Sequence, residues 1–209
     1  DGWRVYATCR HPAEAVELQR LTKIYSALSL HRLDITVQED ICGIHREMEG
    51  IPLDLLINNA GVCFEGNDLG PDSVAYDVWR RTLEVNTIGT VRVIETLQGN
   101  IYLSKQDRLI VVISCDVGKI EEPDQLVKNH YYRSSKAALN VAAQGLVAGL
   151  KLRQIGLLLL HPGEVITRMG SDEGIPPHNS VDGMRKLIES FSLDRSGCFQ
   201  RYDGTFLSC

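Results

Sequence analysis

Tyr132-Arg133-Ser134-Ser135-Lys136 sets a phenol and an ammonium four residues apart. On a helix that spacing puts both side chains on one face. An ammonium beside a phenol favours the phenolate, which would lower the tyrosine pKa from its ordinary value of about 10. A tyrosine tuned in this way can give a proton to a substrate oxygen, or take one from it, near neutral pH. The pair alone is weak, because an exposed helical Tyr and Lys would read the same. Its context is more specific. Asn58-Asn59-Ala60-Gly61, Val85-Asn86-Thr87, Ser114-Cys115 and Pro162-Gly163 fall in order around it, three of the four directly behind an apolar run.

Those runs define the elements that must hold the pair. Strand-like segments at Val5 to Cys9, Leu28 to Ile35, Leu53 to Ile57, Leu109 to Ile113, Ile155 to Leu160 and Cys198 to Tyr202 alternate with helical periodicity. The helical segments begin at Pro12, contain Ile41, Ile44 and Met48, run from Val74 to Leu97 and from Ser135 to Leu152, and end near Val181 to Phe191. The alternation predicts one α/β domain over residues 1–209, a doubly wound, Rossmann-like parallel sheet. In such sheets ligands bind beyond the carboxyl ends of the strands. Arg10, Asp34, Asn58 to Gly61, Ser114-Cys115 and Pro162-Gly163 occupy those ends.

Composition removes several other classes of function. Twenty-two basic against 27 acidic side chains give a net charge of −5, with no basic cluster to attract nucleic acid or anionic membrane. The apolar run Leu157 to Leu160 falls far short of the roughly 20 residues a membrane helix needs. Six scattered cysteines without a Cys-x-x-Cys pair read as reduced thiols of a cytoplasmic protein. No His-x-x-x-His or Cys/His spacing suggests zinc, so no metal is expected.

Tyr132 to Asn140, together with the Asn58 to Gly61 turn, Asn86, Ser114, the Pro162-Gly163 turn and Tyr202-Asp203-Gly204, resembles the short-chain dehydrogenase/reductase family over essentially the whole chain. The likeness is to its carbonyl-reductase-like members related to C-factor and sniffer. The resemblance implies that Tyr132 is the catalytic acid and base. Lys136 would tune it and bind the nicotinamide ribose, and Asn86 would hold a water that relays protons to the lysine. It further implies that Asn58, Ala60 and Gly61 border the adenosine ribose, and that Asp34 and Ile35 meet the adenine. Pro162, Gly163, Val165 and Thr167 would line the nicotinamide. The expected partner is a small-molecule carbonyl or alcohol, not nucleic acid or membrane. Gly145 and Gly149 on the alanine-rich helix suggest close helix packing, at a homodimer seam as in related enzymes.

Cofactor preference has a physical argument. NAD users place an acidic residue against the ribose hydroxyls at the corner that reads Thr8-Cys9-Arg10 here. A cation in place of a carboxylate favours a 2′-phosphate, hence NADP(H) ahead of NAD(H). Arg10 as an ordinary surface arginine is the competing reading.

Two departures from the family pattern stand out. No Gly-x-Gly occurs anywhere, and Asp1 to Ala7 reads as the run into the family's second strand. The first strand and the glycine-rich turn, about 25 to 30 residues of a βαβ unit, are expected to be missing through truncation. Their loss would leave neighbouring strands unpaired and apolar surface exposed. The second departure is Ser114-Cys115-Asp116-Val117-Gly118, which places Cys115 where the family has its substrate-binding serine. A thiol is the weaker donor. Ser114 could substitute only if the strand has ended and the backbone turned. These departures keep open a catalytically impaired member that binds or signals, and an inactive fragment. Trp3 and Trp79 read as core or boundary residues, and Glu164 and Arg168 as solvated charges.

Overall fold

The computed structural model describes residues 2–64, 74–106, 108–116, 129–167, 169–170 and 172–208. Gly118, residues 121–128, Arg168 and Cys209 lie outside the described residues.

Parallel strands need long crossovers, and helices supply them throughout. Strand β1 (Val5–Cys9) leads through a 3-10 turn at Pro12–Glu14 and helix α1 (Val16–Ile24) to β2 (Leu28–Arg32). Helix α2 (Gln38–Glu47) precedes β3 (Leu55–Asn58). Helix α3 (Tyr76–Leu83), a π-helical turn (Glu84–Gly89) and α4 (Thr90–Leu103) then run without a break into the approach to β4 (Leu109–Ile113). Helix α5 (His130–Leu152), β5 (Gly156–His161), α6 (Pro177–Glu189), β6 (Phe199–Arg201) and β7 (Phe206–Leu207) complete the order.

The strands form two sheets. β1 and β2 pair in parallel from Val5↔Leu28 to Cys9↔Arg32. The second sheet has the order β3-β4-β5-β6-β7, parallel except for β7, which returns antiparallel to β6 after the Asp203-Gly204 turn. Both sheets cover one core: Tyr6 of β1 and Leu56 of β3 pack against the cluster of Ile35, Ile41, Ile44, Met48, Val93 and Leu97. Among the described residues β1 and β3 each have a neighbour on one side only. Val5 and Ile57 are 45% and 48% exposed.

β4 and β5 are buried on both faces, which explains their uninterrupted apolar sequence. Successive side chains alternate across the sheet. Ile110, Val112, Leu157 and Leu159 therefore face α4 and α5, while Leu109, Val111, Leu158 and Leu160 face Met184, Leu187 and Ile188 of α6. Trp79 stacks on Tyr131, a boundary role as expected, whereas Trp3 is 50% exposed and joins no core cluster.

The Val74 to Leu97 helix expected from periodicity is interrupted by the π turn. Such turns are rare and recur at functional sites. Here it turns Asn86 inward and lets Gly89 sit against Ile35, beyond the end of β2. A Cβ at Gly89 would lie 2.7 Å and 2.9 Å from Ile35 side-chain carbons and 3.0 Å from the Ile35 carbonyl oxygen. Ile35 is buried in the core and has no room to swing away. Gly89→Ala is therefore expected to lose about 1–3 kcal/mol to overpacking, partly offset by up to about 1 kcal/mol of helix propensity. Gly43→Ala in α2, with nothing within 4 Å of the new Cβ, should stabilise instead. Urea unfolding of both variants checks the sign of each change.

Candidate active site

The site gathers where β4 and β5 end and α5 begins. The first turn of α5 is fixed before any chemistry is considered. Trp79 of α3 stacks on Tyr131 with ring centroids 5.4 Å apart, and its Nε1 donates to Ser134 Oγ at 2.8 Å. The Tyr131 hydroxyl accepts from the Ala75 amide at 2.7 Å. From the π turn, Thr87 Oγ1 donates to the Ser135 carbonyl at 2.8 Å and Asn86 Nδ2 to Ser135 Oγ at 2.9 Å. These contacts hold Tyr132 and Lys136 on the face of α5 that looks onto the end of β4.

Lys136 is buried, and its Nζ donates to the Ile113 carbonyl at 3.0 Å while lying 5.7 Å from the centre of the Tyr132 ring. Burial lowers its pKa to about 8, against a smaller opposing pull from Cys115. The ammonium has three N–H groups, and the bond to Ile113 uses one. A Cβ on Gly61 would stand 3.8 Å from Nζ and 3.4 Å from Asn86 Oδ1. The turn after β3 thus comes close to the lysine.

The Tyr132 phenol departs from the expected lowering. Its pKa is raised, first by burial and then by the neighbouring thiols of Cys115 and Cys63 and the carboxylate of Asp116. The lysine does not offset this, because its ammonium is turned to the Ile113 carbonyl and the face of the ring. Tyr132 is consequently a protonated phenol across the neutral range, with the Cys115 side chain within hydrogen-bonding range of it.

Cys115 and Ser114 have separated. Ser114 follows the last residue of β4, but it is buried and its hydroxyl donates to Asn140 Oδ1 on α5. The Ser114 hydroxyl thus ties β4 to α5, while the Cys115 side chain is on the Tyr132 side. Asn86 is fully buried, with Nδ2 also donating to the Val62 carbonyl at 2.9 Å and Oδ1 accepting from the Val62 amide at 2.8 Å. Its amide locks the Gly61 to Cys63 segment, a positioning task that the water-relay expectation did not anticipate.

The remaining predicted residues lie along the same carboxyl edge. Arg10 is exposed at the end of β1. Asp34, beyond β2, accepts from the Thr36 amide at 2.9 Å and its hydroxyl at 2.7 Å. Burial pushes the Asp34 carboxyl up, but these bonds and the Arg10 and Arg81 charges outweigh it, and its pKa is lowered. The Ile35 side chain belongs to the core, which leaves only its main chain to meet a ligand; Arg92 Nη1 holds its carbonyl at 3.2 Å. Asn58 is half-buried and reaches the Val111 carbonyl at 3.4 Å, while Ala60 is exposed. Beyond β5, Gly163 has φ +80°, and a Cβ there would stand 2.9 Å from the Tyr202 ring. Ser180 of α6 donates to the Pro162 carbonyl at 2.6 Å, and Val165 bridges Ile175. Thr167 is exposed, its hydroxyl accepting from the Met169 and Gly170 amides at 3.3 Å and 3.1 Å.

Cys63, Asp116 and His161 were not singled out from sequence as site residues, yet all three stand close to this group. His161 ends β5, and its Nε2 lies 3.3 Å from Asp116 Oδ1. Its place as the last strand residue before Pro162-Gly163 was the one signal that could have found it. Residues that fit the two ends of a dinucleotide are thus present: an ammonium with donors to spare at one end, a carboxylate and an arginine at the other. A glycine-rich pyrophosphate cradle is not among them, since the sequence has no Gly-x-Gly.

A protein-family model described as short chain dehydrogenase matches residues 1–175. The C-signal protein of Myxococcus xanthus is 36% identical over 155 residues, covering 74% of this chain and 91% of its own length. Among solved structures, the carbonyl reductase Sniffer of D. melanogaster superposes with a TM-score of 0.88 at 26% identity, covering 98% of this chain and 87% of that one. An NADPH-bound carbonyl reductase from chicken fatty liver gives 0.86 at 28% identity, covering 99% and 88%.

Proposed function

The chain belongs to the short-chain dehydrogenase family, and we propose that it is an NADP(H)-dependent oxidoreductase that reduces a carbonyl group or oxidises the matching alcohol. The observation that carries this reading is the convergence of Tyr132, Lys136 and Cys115 at the ends of β4 and β5, beside the Gly61 turn. The bound cofactor supplies or accepts the hydride. Tyr132, held protonated by its buried setting, gives its proton to the carbonyl oxygen. Cys115 directs its thiol toward the same oxygen, and Lys136 uses its spare N–H groups on the ribose. Asn86 acts by fixing Val62 and Ser135, and Pro162, Gly163, Val165 and Thr167 form a wall that Ser180 and Tyr202 hold in place. At the other end, Asn58, Ala60 and Gly61 border the adenosine ribose, while Asp34 and the Ile35 main chain meet the adenine.

Further support comes from the NADPH in the chicken carbonyl reductase, although that observation belongs to that protein. Arg10 is exposed, and its charge, felt by the Asp34 carboxylate, is the cation at this corner for a 2′-phosphate. No helix among the described residues is long and apolar enough to cross a membrane, and none of the described cysteines is in a disulfide, in keeping with a cytoplasmic setting. The outward face of α5, with Val141 73% exposed and open space at Gly145 and Gly149, suits a second copy of the chain.

Calorimetric titration with NADPH and NADH is the direct test. A charge-assisted bond from Arg10 to the phosphate should favour NADPH by about 10- to 100-fold, and Arg10→Glu should remove that preference. Equal affinity for both cofactors would refute the assignment to NADP(H), and binding of neither would favour a non-catalytic family member.

A further inference from the structure

The ends of β4 and β5 bring together three side chains that the proposed reduction does not need as a set. We propose that Cys115, Asp116 and His161 form a binding site for a thiophilic divalent cation, zinc being the fitting ion, at the mouth of the active site. The Cys115 Sγ, the Asp116 carboxylate and the His161 imidazole nitrogen all lie within 4.8 Å of one another. Asp116 Oδ1 is 3.3 Å from His161 Nε2 and 3.7 Å from Cys115 Sγ. Zinc takes sulfur at about 2.3 Å and nitrogen or oxygen at about 2.0–2.2 Å, so ligand atoms on a tetrahedral centre stand roughly 3.5 Å apart. Two of the three spacings already match, and the third needs only a small rotation of the cysteine side chain.

Burial points the same way. His161 is 6% exposed and turns Nε2 to this corner, while Nδ1 has no partner among the described residues. The ring also meets the Ser114 main chain and the charges of Arg201 and Glu164, while the carboxylate and the thiol stand within ligand range of it. One sulfur, one nitrogen and one oxygen are a donor set that zinc accepts, leaving the fourth position open toward solvent. Sequence spacing gave no sign of it, because the ligands come from the ends of two strands that are adjacent in the sheet but about 45 residues apart in the chain.

Binding proceeds without redox change. The Cys115 S–H bond breaks and its proton passes to the buffer, the thiolate takes the metal, and Asp116 and His161 each contribute a lone pair. The binding step stands independently of the reductase reading; its consequence for activity rests on that reading. Metal binding would draw the Cys115 sulfur away from the substrate and place a dication beside Tyr132, favouring the phenolate over the proton donor. Zinc should therefore inhibit carbonyl reduction.

Cobalt(II) is the optical probe. The reduced, chelator-treated 209-residue chain, free of cofactor, is titrated with cobalt(II) and read for the thiolate-to-cobalt charge-transfer band. The expected result is one equivalent bound, bleached by zinc. The band should be lost in Cys115→Ser and kept in Cys63→Ser. Asp116→Asn, a change at the more exposed ligand that does not threaten the fold, should weaken cobalt at least as much as the roughly 10- to 100-fold typical of losing an outer-shell partner. Absence of the band, or a band that persists in Cys115→Ser, or unchanged affinity in Asp116→Asn, overturns the site. Zinc inhibition of NADPH-dependent turnover is a separate readout, so loss of the reductase reading would leave the optical result standing.

Discussion

Tyr132→Phe should reduce NADPH-dependent carbonyl turnover by about 10²- to 10⁴-fold, the usual worth of a positioned general acid. The substitution removes one oxygen and keeps the ring, so Lys136 should retain its place over the ring and its bond to Ile113. NADPH affinity should consequently stay within about twofold of the parent, a difference of under half a kcal/mol. The split between lost turnover and retained binding is the diagnostic feature. Turnover within tenfold of the parent would sink the assignment of Tyr132, whatever the fold. Loss of binding together with turnover would mean that the phenol organises the cofactor pocket and is not its proton donor.

The direction of the Tyr132 shift bears on what proton transfer demands of the site. Burial keeps the phenol protonated but makes it a weaker acid, so the proton is present and harder to give up. Bringing the Lys136 charge closer to the hydroxyl would ease its transfer in either direction. Spacing in sequence conveyed that Tyr132 and Lys136 share a helix face. It could not convey that the ammonium is drawn to the Ile113 carbonyl, because that contact is made by the end of another element.

The same distinction between local and non-local information runs through the fold. Val5–Cys9 and Leu109–Ile113 have the boundaries their apolar runs predict. In both, the signal lies in consecutive side chains that meet helices or neighbouring strands. The π turn was not legible, since Glu84 to Gly89 carries ordinary helical residues and the register change is imposed by Asn86 reaching Val62 and by Gly89 against Ile35. Two-residue β7 is too short to show any period. The opposite orientations of Ser114 and Cys115 depend on Asn140, 26 residues away from Ser114, and no pattern within the motif predicts that pairing.

Cys115→Ser decides between a working reductase and a family member adapted to another task. On the proposed reading the thiol is the donor to the substrate oxygen, but S–H is a weak donor and Sγ already lies 3.7 Å from Asp116 Oδ1. A hydroxyl donating to the charge that develops on a carbonyl oxygen is worth about 1.5–3 kcal/mol. Much of that is forfeited by sulfur, so the serine variant should raise kcat/KM by roughly 10- to 100-fold. Ser114 offers no relief, because its hydroxyl is committed to Asn140 in the buried layer between β4 and α5. The gain should appear mainly in kcat, as expected for a bond that strengthens in the transition state. An unchanged rate would mean that the thiol suffices and that Tyr132 carries the polarisation of the carbonyl alone. A rate that rises from nothing to measurable would identify the parent chain as an impaired enzyme.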